Sequence, residues 1–201
     1  MNNVDRFYTE NVEEFSDSYI KYLSSVLEKI DKLEIKQFIT SILNARNLGS
    51  SIFFIGNGGS ASTASHFAND LAIGTNSYKN TFRVISLCDN NAIISAVGND
   101  FSYEEIFSRQ LKVLGKKGDL LVAISASGNS PNLVKAFETA KECSIKTVAL
   151  TSFDGGKLKE MADAVVHVPA ERGEYGPAED AHLIINHLIG AYINRLVKTE
   201  S

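Results

Sequence analysis

Apolar residues in the first quarter of the chain recur at the spacing of a helix. Between residues 5 and 47 they return every three or four positions, with an interruption near Asp31. This period places them on one face of a helix and predicts two helices broken near Asp31. The positions concerned are Phe15, Tyr19, Tyr22, Leu23, Val26, Leu27, Ile30, Phe38, Ile39, Ile42 and Leu43.

After Gly49 the pattern changes to short, continuous apolar runs with helical patterns between them. Such runs are typical of parallel strands in a sheet that helices cover on both faces. The last helical pattern is apolar on much of its surface, which favours a position in the core or at a subunit interface. The predicted strands cover residues 51–55, 83–87, 120–125, 147–151 and 164–168, and the predicted helices include 60–72, 104–114, 130–143 and 178–198.

The loop after the first predicted strand carries Gly-Asn-Gly-Gly-Ser at residues 56–60. In an open α/β sheet, ligands bind beyond the carboxyl ends of the strands, where this loop lies. Glycines let the backbone approach a ligand closely, and the N–H groups of the following helix favour an anion. The same residues also fit an ordinary strand-to-helix turn with Ser60 as N-cap. The loop matches neither the Walker motif nor the complete dinucleotide-binding motif, so by itself it leaves both interpretations open.

A second loop of this kind follows the third predicted strand, with Ile-Ser-Ala-Ser-Gly-Asn-Ser-Pro at residues 124–131. Ser130 suits the N-cap of the next helix and Pro131 suits its first turn. Capping does not account for Ser125 and Ser127, whose hydroxyls suit a phosphate that needs neutral donors. Two such loops in one small sheet favour phosphate binding over simple turns.

Two further loops carry polar residues with less specific patterns. The Asp-Gly-Gly sequence at 154–156 is most simply a turn and is assigned no chemistry. Asn99 and Asp100 fit either a helix-capping turn or a pair of polar groups placed over the same edge of the sheet.

The bulk composition is that of a globular protein. Of the 201 residues, 44% are hydrophobic and 22% are charged, and this length can bury a core without disulfides or metals. The formal net charge of -4 argues against a general nucleic-acid binder, although backbone N–H groups can hold a phosphate in an acidic protein. Cys88 and Cys143 have no paired spacing and are predicted to be buried free thiols. No signal peptide and no membrane-spanning apolar run are visible, which predicts a cytoplasmic location.

Histidines and carboxylates at helical spacing form the titratable part of the sequence. His66 and Asp70 are four residues apart on the helix after the first loop, so their side chains share a face. This fits a metal pair or an acid–base pair, and also an exposed contact without function. On the last helix, His187 shares a face with Asp180 better than with Glu179. His187 also fits a core histidine with a buried partner.

The other two histidines favour structural explanations. His167 lies in the last predicted strand, where a structural role is the simpler interpretation. His182 fits either a surface position or a bond to Asn186, one turn along the same helix.

Taken in order, these motifs resemble the sugar-isomerase (SIS) domain family and, within it, the bacterial phosphoheptose isomerases. The resemblance extends from the N-terminal helices to the last helix. Any one motif is weak, whereas the set is specific for the subfamily. The motifs are Gly-Asn-Gly-Gly-Ser-Ala at 56–61 with His-Phe-Ala at 66–68, Val-Gly-Asn-Asp-Phe at 97–101, Ser-Arg-Gln at 108–110, Ser-Ala-Ser-Gly-Asn-Ser-Pro-Asn at 125–132, and the helix from Glu179 to His187.

The resemblance implies a three-layer α/β fold with a flavodoxin-like, five-stranded parallel sheet. N-terminal helices at residues 1–48 would pack on the domain and on a subunit interface, and residues 49–201 would form the sugar-phosphate-binding SIS domain, together one structural unit. A cytoplasmic homotetramer is implied, with active sites between subunits and no nucleic-acid or membrane partner. The implied activity is the aldose–ketose isomerisation of sedoheptulose 7-phosphate to glycero-manno-heptose 7-phosphate through an enediolate, the first step of nucleotide-activated heptose biosynthesis.

The same resemblance assigns roles to individual residues. Asp70 corresponds to the carboxylate base and His187 to the opposing acid–base group, with Glu179 as the alternative base. One Zn²⁺ ion in each site would be held by the side chains of His66, Asp70, Glu179 and His187. The implied substrate contacts are Asn57, Gly58, Gly59, Ser60, Asn99, Asp100, Ser125, Ala126, Ser127 and Ser130.

Four residues depart from the pattern of the family. Asp70 stands in place of a Glu and is one methylene shorter, and Glu179 in place of a Gln adds a negative charge. Ala126 stands in place of a substrate-contacting Thr, and Gly176 in place of an Asp. Two histidines and two carboxylates still form an acceptable zinc site. The departures leave two alternatives open: an isomerase for another sugar phosphate, and a non-catalytic SIS protein that binds a replication initiator, a kind of relative that lacks the histidine corresponding to His187.

Overall fold

The computed structural model describes residues 4–198, within which one wholly parallel sheet is formed. Its strands are β1 Ser51–Gly56, β2 Arg83–Ser86, β3 Leu120–Ser125, β4 Lys146–Ser152 and β5 Ala164–Val168. They lie in the order β2-β1-β3-β4-β5, which is the flavodoxin-like order. The predicted fold class is therefore confirmed. Of the two predicted units, 1–48 and 49–201, residues 1–3 and 199–201 lie outside the described residues.

Helices cover both faces of this sheet and create two hydrophobic cores. In chain order they are α1 Val12–Glu28, α2 Lys32–Asn47, α3 Gly59–Asn69, α4 Asn91–Asp100, α5 Ser108–Leu114, α6 Pro131–Glu142, α7 Gly156–Met161 and α8 Tyr175–Lys198. The first core contains side chains of α1, α2, α3 and α8, and the second contains side chains of α4 to α7. Successive residues of a strand alternate between them, so that Ile52 and Phe54 point to the first core and Phe53 and Ile55 to the second.

The predicted break between the N-terminal helices is confirmed. Asp31 is the N-cap of α2, and its carboxylate accepts a hydrogen bond from the Leu33 N–H at 2.7 Å. Phe38 and Ile42 of α2 are completely buried in the first core. The N-terminal helices therefore bury their apolar faces against the same core as the sheet.

Three helical predictions need correction. The predicted helix at residues 60–72 covers most of α3 and only the first three residues of the π-helical turn Asp70–Gly74, which follows it. Residues 104–114 contain the end of a 3-10 turn, Tyr103–Glu105, and then α5. α8 begins three residues before the predicted start, because Pro177 lies in its first turn, where a proline is tolerated.

Two helices, α4 and α7, are absent from the predicted elements. The six-residue α7 buries Leu158 and is too short to show a period. In α4, by contrast, Ile93, Ile94 and Val97 have the spacing of a helix, and Ile94 and Val97 pack in the second core. None of the helices within residues 4–198 is both long enough and apolar enough to span a bilayer.

Candidate active site

The loop between β1 and α3 makes a tight turn around its glycines. Gly58 is the N-cap of α3 and has a φ of 54°, in the left-handed region that favours glycine. A Cβ added to Gly56 would lie 2.5 Å from the Ser60 carbonyl oxygen, because the two backbone segments touch there. Ser60 is buried inside the first turn of α3, so its interpretation as the N-cap is wrong. The turn places the N-terminus of α3 at the carboxyl edge of the sheet, where the helix dipole favours a phosphate, while the Ser60 and Ala61 N–H groups donate to the Asn57 carbonyl oxygen within the turn.

The loop between β3 and α6 is shaped by its own serines. The Ser125 Oγ accepts a hydrogen bond from the Gly128 N–H at 3.1 Å, and the Ser127 Oγ accepts one from the Asn129 N–H at 3.3 Å. The two serines therefore have a structural role that sequence reasoning did not supply. Ser130 is the N-cap of α6 as predicted, but its hydroxyl makes no capping hydrogen bond. That hydroxyl is therefore not used by the helix end.

A pair of asparagines ties the two loops together. The Asn57 Nδ2 donates to the Asn132 Oδ1 at 2.9 Å, and the Asn132 Nδ2 donates to the Asn57 Oδ1 at 2.8 Å. The Tyr103 hydroxyl also donates to the Asn57 Oδ1, at 3.0 Å. Asn132 is buried, and its contact with Asn57 joins residues 75 positions apart, a distance that no local pattern reveals. The paired amides hold the two loops side by side, as one phosphate bound by both would require.

The remaining predicted substrate contacts are Asn99, Asp100 and Ala126, of which Ala126 lies within the second loop. Asn99 and Asp100 are the last two residues of α4, both exposed, and the Asn99 Nδ2 donates to the Asp100 Oδ1 at 2.8 Å. They shortly precede Tyr103, whose hydroxyl reaches the first loop. Ala126 is buried, and its carbonyl oxygen accepts a hydrogen bond from the Ser152 N–H at 3.0 Å. Ala126 thus attaches the second loop to β4.

Two histidines and a carboxylate meet between α3 and α8. His66, Asp70 and His187 each offer one ligand atom, and these atoms lie within 4.8 Å of one another. The His66 Nε2 is 3.4 Å from the Asp70 Oδ2 and also 3.4 Å from the His187 Nε2. His66 and Asp70 are partly buried and His187 is exposed, so the interpretation of His187 as a core histidine is wrong.

This donor set fits a zinc ion. Imidazole nitrogens and a carboxylate oxygen are ordinary zinc ligands, and catalytic zinc sites typically have three protein ligands and an open position. An open cavity of about 480 Å³ adjoins Asp70 and His187, and it is also lined by Gly190, Asn194 and Arg195. The three side chains would therefore have room beside them for a substrate.

Glu179 does not join this cluster in the described residues. Its carboxylate lies against Gly59 at the start of α3, since a Cβ added to Gly59 would be 2.2 Å from the Glu179 Oε2. Gly59 and His66 are seven residues apart on α3, about 10 Å along the helix axis. Burial raises the pKa of the Glu179 carboxyl, and the negative charge of Asp180 adds to the rise. The inclusion of Glu179 among the metal ligands stays a prediction.

Asp180 has a different partner from the one that its spacing suggested. Its Oδ2 accepts a hydrogen bond from the Tyr19 hydroxyl at 2.6 Å, which links α8 to α1. Asp180 and His187 lie two turns apart on α8, as their spacing indicates, but Asp180 binds a residue of another helix instead of the histidine.

The two remaining histidines have structural environments. His182 is completely buried, its Nε2 lies 3.4 Å from the Thr151 carbonyl oxygen, and burial lowers its pKa to about 4. Both sequence interpretations of His182, a surface position or a bond to Asn186, are wrong. The His167 backbone N–H donates to the Glu34 Oε2 at 2.7 Å, in keeping with the structural role predicted for His167.

The two cysteines are free, as predicted, but they are only partly buried. The Cys88 thiol lies 3.5 Å from the Gly56 carbonyl oxygen, and burial raises the pKa of that thiol. A raised pKa favours the protonated, less reactive thiol, so Cys88 is assigned no chemistry.

The sheet is parallel and doubly wound, and glycine- and serine-rich loops follow β1 and β3. This is the architecture of an α/β protein that binds a phosphorylated ligand at the carboxyl edge of its sheet. Comparison with known families narrows this class. The family model described as the SIS domain matches residues 14–152, and the chain belongs to that family.

Phosphoheptose isomerases are among the relatives that this chain matches over most of its length. A phosphoheptose isomerase of Helicobacter pylori is 36% identical over 173 residues, which are 86% of this chain and 88% of the relative. A phosphoheptose isomerase of Akkermansia muciniphila is 37% identical over 175 residues, 87% of this chain and 89% of the relative. Among solved structures, the phosphoheptose isomerase of Neisseria gonorrhoeae superimposes with a TM-score of 0.83 at 31% identity, covering 92% of this chain and 98% of the other.

Proposed function

We propose that this protein is an aldose–ketose isomerase that converts sedoheptulose 7-phosphate to glycero-manno-heptose 7-phosphate. The observation that carries the proposal is the cluster of His66, Asp70 and His187, all within 4.8 Å of one another. A protein that only bound its ligand would not need two imidazoles and a carboxylate in contact. The named relatives, which this chain matches over more than four fifths of its length, support the same activity.

The two loops would bind the phosphate of the substrate. They offer the positive ends of the α3 and α6 dipoles together with the hydroxyl of Ser130, which makes no capping bond. Neutral donors and helix N-termini hold a phosphate without requiring a basic side chain. This agrees with a chain whose net charge is -4.

Isomerisation requires a base to remove the proton beside the carbonyl and an acid–base group to move a proton between the two oxygens of the enediolate. Asp70 would act as the base and His187 as the opposing group, since their side chains converge beside the open cavity. His66, Asp70 and His187 would hold a zinc ion, and that ion, when bound, would polarise the substrate carbonyl and stabilise negative charge on the enediolate.

A homotetramer in the cytoplasm, with active sites between subunits, completes the proposal. One feature of the chain supports the subunit contact, because exposed apolar side chains on α8 offer a surface for it: Ile184, Leu188 and Tyr192.

A panel assay tests the proposal. Purified protein is incubated with sedoheptulose 7-phosphate and with shorter ketose phosphates, with added zinc or with a chelator, and aldose formation is followed. We expect turnover of sedoheptulose 7-phosphate and loss of activity on chelation. Turnover of a different ketose phosphate alone would favour the isomerase of other specificity. No turnover of any sugar phosphate, together with capture of a replication initiator, would favour the binding protein instead.

A further inference from the structure

Asp70 lies at the point where the hydrogen-bonding pattern of α3 changes. It is the first residue of the π-helical turn Asp70–Gly74, and such turns occur frequently at functional sites. Two asparagines of α8 hold the ends of this turn. The Asn186 Nδ2 donates to the Asp70 Oδ2 at 3.1 Å, and the Asn194 Nδ2 donates to the Gly74 carbonyl oxygen at 2.6 Å.

The contact between Asn186 and Asp70 is specific in its chemistry. The Asn186 side chain is completely buried, and its Oδ1 has no hydrogen-bond partner among residues 4–198. Because an ionised carboxylate only accepts hydrogen bonds, the amide must turn its Nδ2 towards Asp70. A buried amide with an unpaired oxygen costs stability relative to an apolar side chain of the same size. The hydrogen bond that the Asn186 side chain does make is donated to the Asp70 carboxylate.

The backbone of α8 also passes close to the carboxylate. Gly190 lies one turn after Asn186, and a Cβ added to it would be in ordinary van der Waals contact with Asp70, 3.8 Å from its Cβ and 3.9 Å from its Oδ2. Asp70 is therefore bordered by the backbone of α8 and held by the amide of Asn186.

The oxygen that Asn186 holds is also the one that faces the histidine cluster. The Asp70 Oδ2 lies 3.4 Å from the His66 Nε2, and His66 in turn contacts His187. Asp70 is one methylene shorter than the glutamate of the family pattern, so its carboxylate reaches less far from the backbone of α3. A shorter side chain needs a defined orientation to bring its oxygen to the same place.

We propose that Asn186 is a positioning residue that orients the Asp70 carboxylate towards His66 and His187. Asn186 acts through Asp70 and touches neither substrate nor metal. The expected effect of Asn186 on turnover rests on the proposed isomerase function. Its expected effect on metal binding is independent of that function. Partners that orient a ligand in this way typically change metal affinity or activity by about 10- to 100-fold when they are removed.

The test compares Asn186→Leu with the full-length wild-type protein. Leucine removes the donor and fills a similar volume, and Asn186→Ala serves if the leucine variant does not fold. Co²⁺ affinity is measured by visible absorption and Zn²⁺ affinity by calorimetry, and kcat and KM are measured separately. We expect a loss of about 10- to 100-fold in metal affinity and in kcat, with KM within about threefold of wild type. Ile193→Val, which removes a buried methyl two turns further along α8, should leave the metal affinity, kcat and KM unchanged.

A double-mutant cycle separates positioning from general loosening of the helix. If Asn186 acts only through the Asp70 carboxylate, Asn186→Leu should have no further effect on metal affinity in an Asp70→Asn background. Unchanged metal affinity and kcat in the Asn186→Leu protein would overturn the inference, and so would a full loss of affinity that persists in the Asp70→Asn background. Metal binding that responds as expected in a protein without turnover would instead reject the isomerase function and keep the role of Asn186.

Discussion

At the scale of single residues, two carboxylates compete for the role of base. Asp70 lies with His66 and His187, whereas Glu179 lies against Gly59 at the start of α3. Burial raises the pKa of Glu179, and a raised pKa suits a general acid or base near neutral pH. Contact with the histidines favours Asp70, because proton transfer requires the two groups to lie close to the same substrate atoms.

Replacing each carboxylate by its amide distinguishes them. We expect Asp70→Asn to lower kcat by about 100-fold or more, since a general base contributes that much. Glu179→Gln, which restores the residue of the family pattern, should keep kcat within a few-fold of wild type. The measurement is steady-state turnover of sedoheptulose 7-phosphate. The reverse result, an active Asp70→Asn and an inactive Glu179→Gln, would make Glu179 the base.

The buried imidazole of His182 makes a prediction about stability and pH. Its pKa is lowered by burial from 6.5 to about 4. As pH falls from 6.5 to 4, the unfolded chain binds a proton that the folded chain excludes, so the free energy of unfolding decreases. From this residue alone the decrease is about 3 kcal/mol once pH is below the folded pKa.

Urea unfolding at several pH values between neutrality and about 4 measures this slope. A His182→Gln variant has no titrating group at this position and should lose that part of the pH dependence. Equal slopes for the two proteins would show that His182 does not titrate differently in the folded and unfolded chains.

At the scale of secondary-structure elements, the serine-rich loop after β3 depends on close backbone contact with the loop after β4. Gly128 has a φ of 62°, and a Cβ added to it would lie 1.9 Å from the Gly155 carbonyl oxygen. Only glycine fits both the left-handed conformation and this contact. The loop geometry that would receive the phosphate therefore depends on one residue without a side chain.

Gly128→Ala should lower the free energy of unfolding by about 2 kcal/mol or more, because the left-handed conformation alone costs an L-residue about 1–2 kcal/mol. It should also weaken substrate binding, seen as a higher KM. Gly98→Ala is the matched control, since nothing lies within 4 Å of a Cβ added there. Gly98 lies in the last turn of α4, where the change should leave the stability unchanged or raise it, by at most roughly 0.5–1 kcal/mol. Urea unfolding measures the stability of both variants. Equal free energies of unfolding for Gly128→Ala and Gly98→Ala would contradict the requirement for glycine at position 128.

At the scale of the whole molecule, α8 has two apolar faces. One is buried in the first core, and the other presents Ile184, Leu188 and Tyr192 to solvent at intervals of four residues. Exposed apolar side chains in a row are typical of an interface. The row runs beside His187, so a subunit packed there would also border the histidine cluster.

Leu188→Glu tests whether this row is a subunit interface. We expect the wild-type protein to have about four times the 21.9 kDa of a single chain, and the charged variant to dissociate and lose activity. Leu188→Met, a volume-conserving apolar change, should keep both the tetramer and the activity. Light scattering coupled to gel filtration gives the mass, and a tetrameric Leu188→Glu protein would exclude this row from the interface.

The strands could be predicted from the sequence because each is a continuous apolar run. β3 and β5 match their predicted bounds, and the other three differ by one or two terminal residues. The helix α7 could not be predicted, because six residues with one buried side chain show no period, whereas Ile93, Ile94 and Val97 of α4 do have the spacing of a helix. For the site, the spacing of His66 and Asp70 indicated their contact, since both lie on one helix one turn apart.

By itself, the sequence determined the parallel sheet, the position of both loops at its carboxyl edge and the contact between His66 and Asp70. These are local properties, set by apolar period, by glycine and by helical spacing. The tertiary structure alone decided that His187 is exposed beside them, that Asp180 binds Tyr19, that Glu179 lies at Gly59 and that Asn186 holds Asp70. These contacts join helices more than 100 residues apart in the chain, and they depend on how α8 is rotated against α1 and α3. That rotation results from the packing of the first core, which no local pattern records.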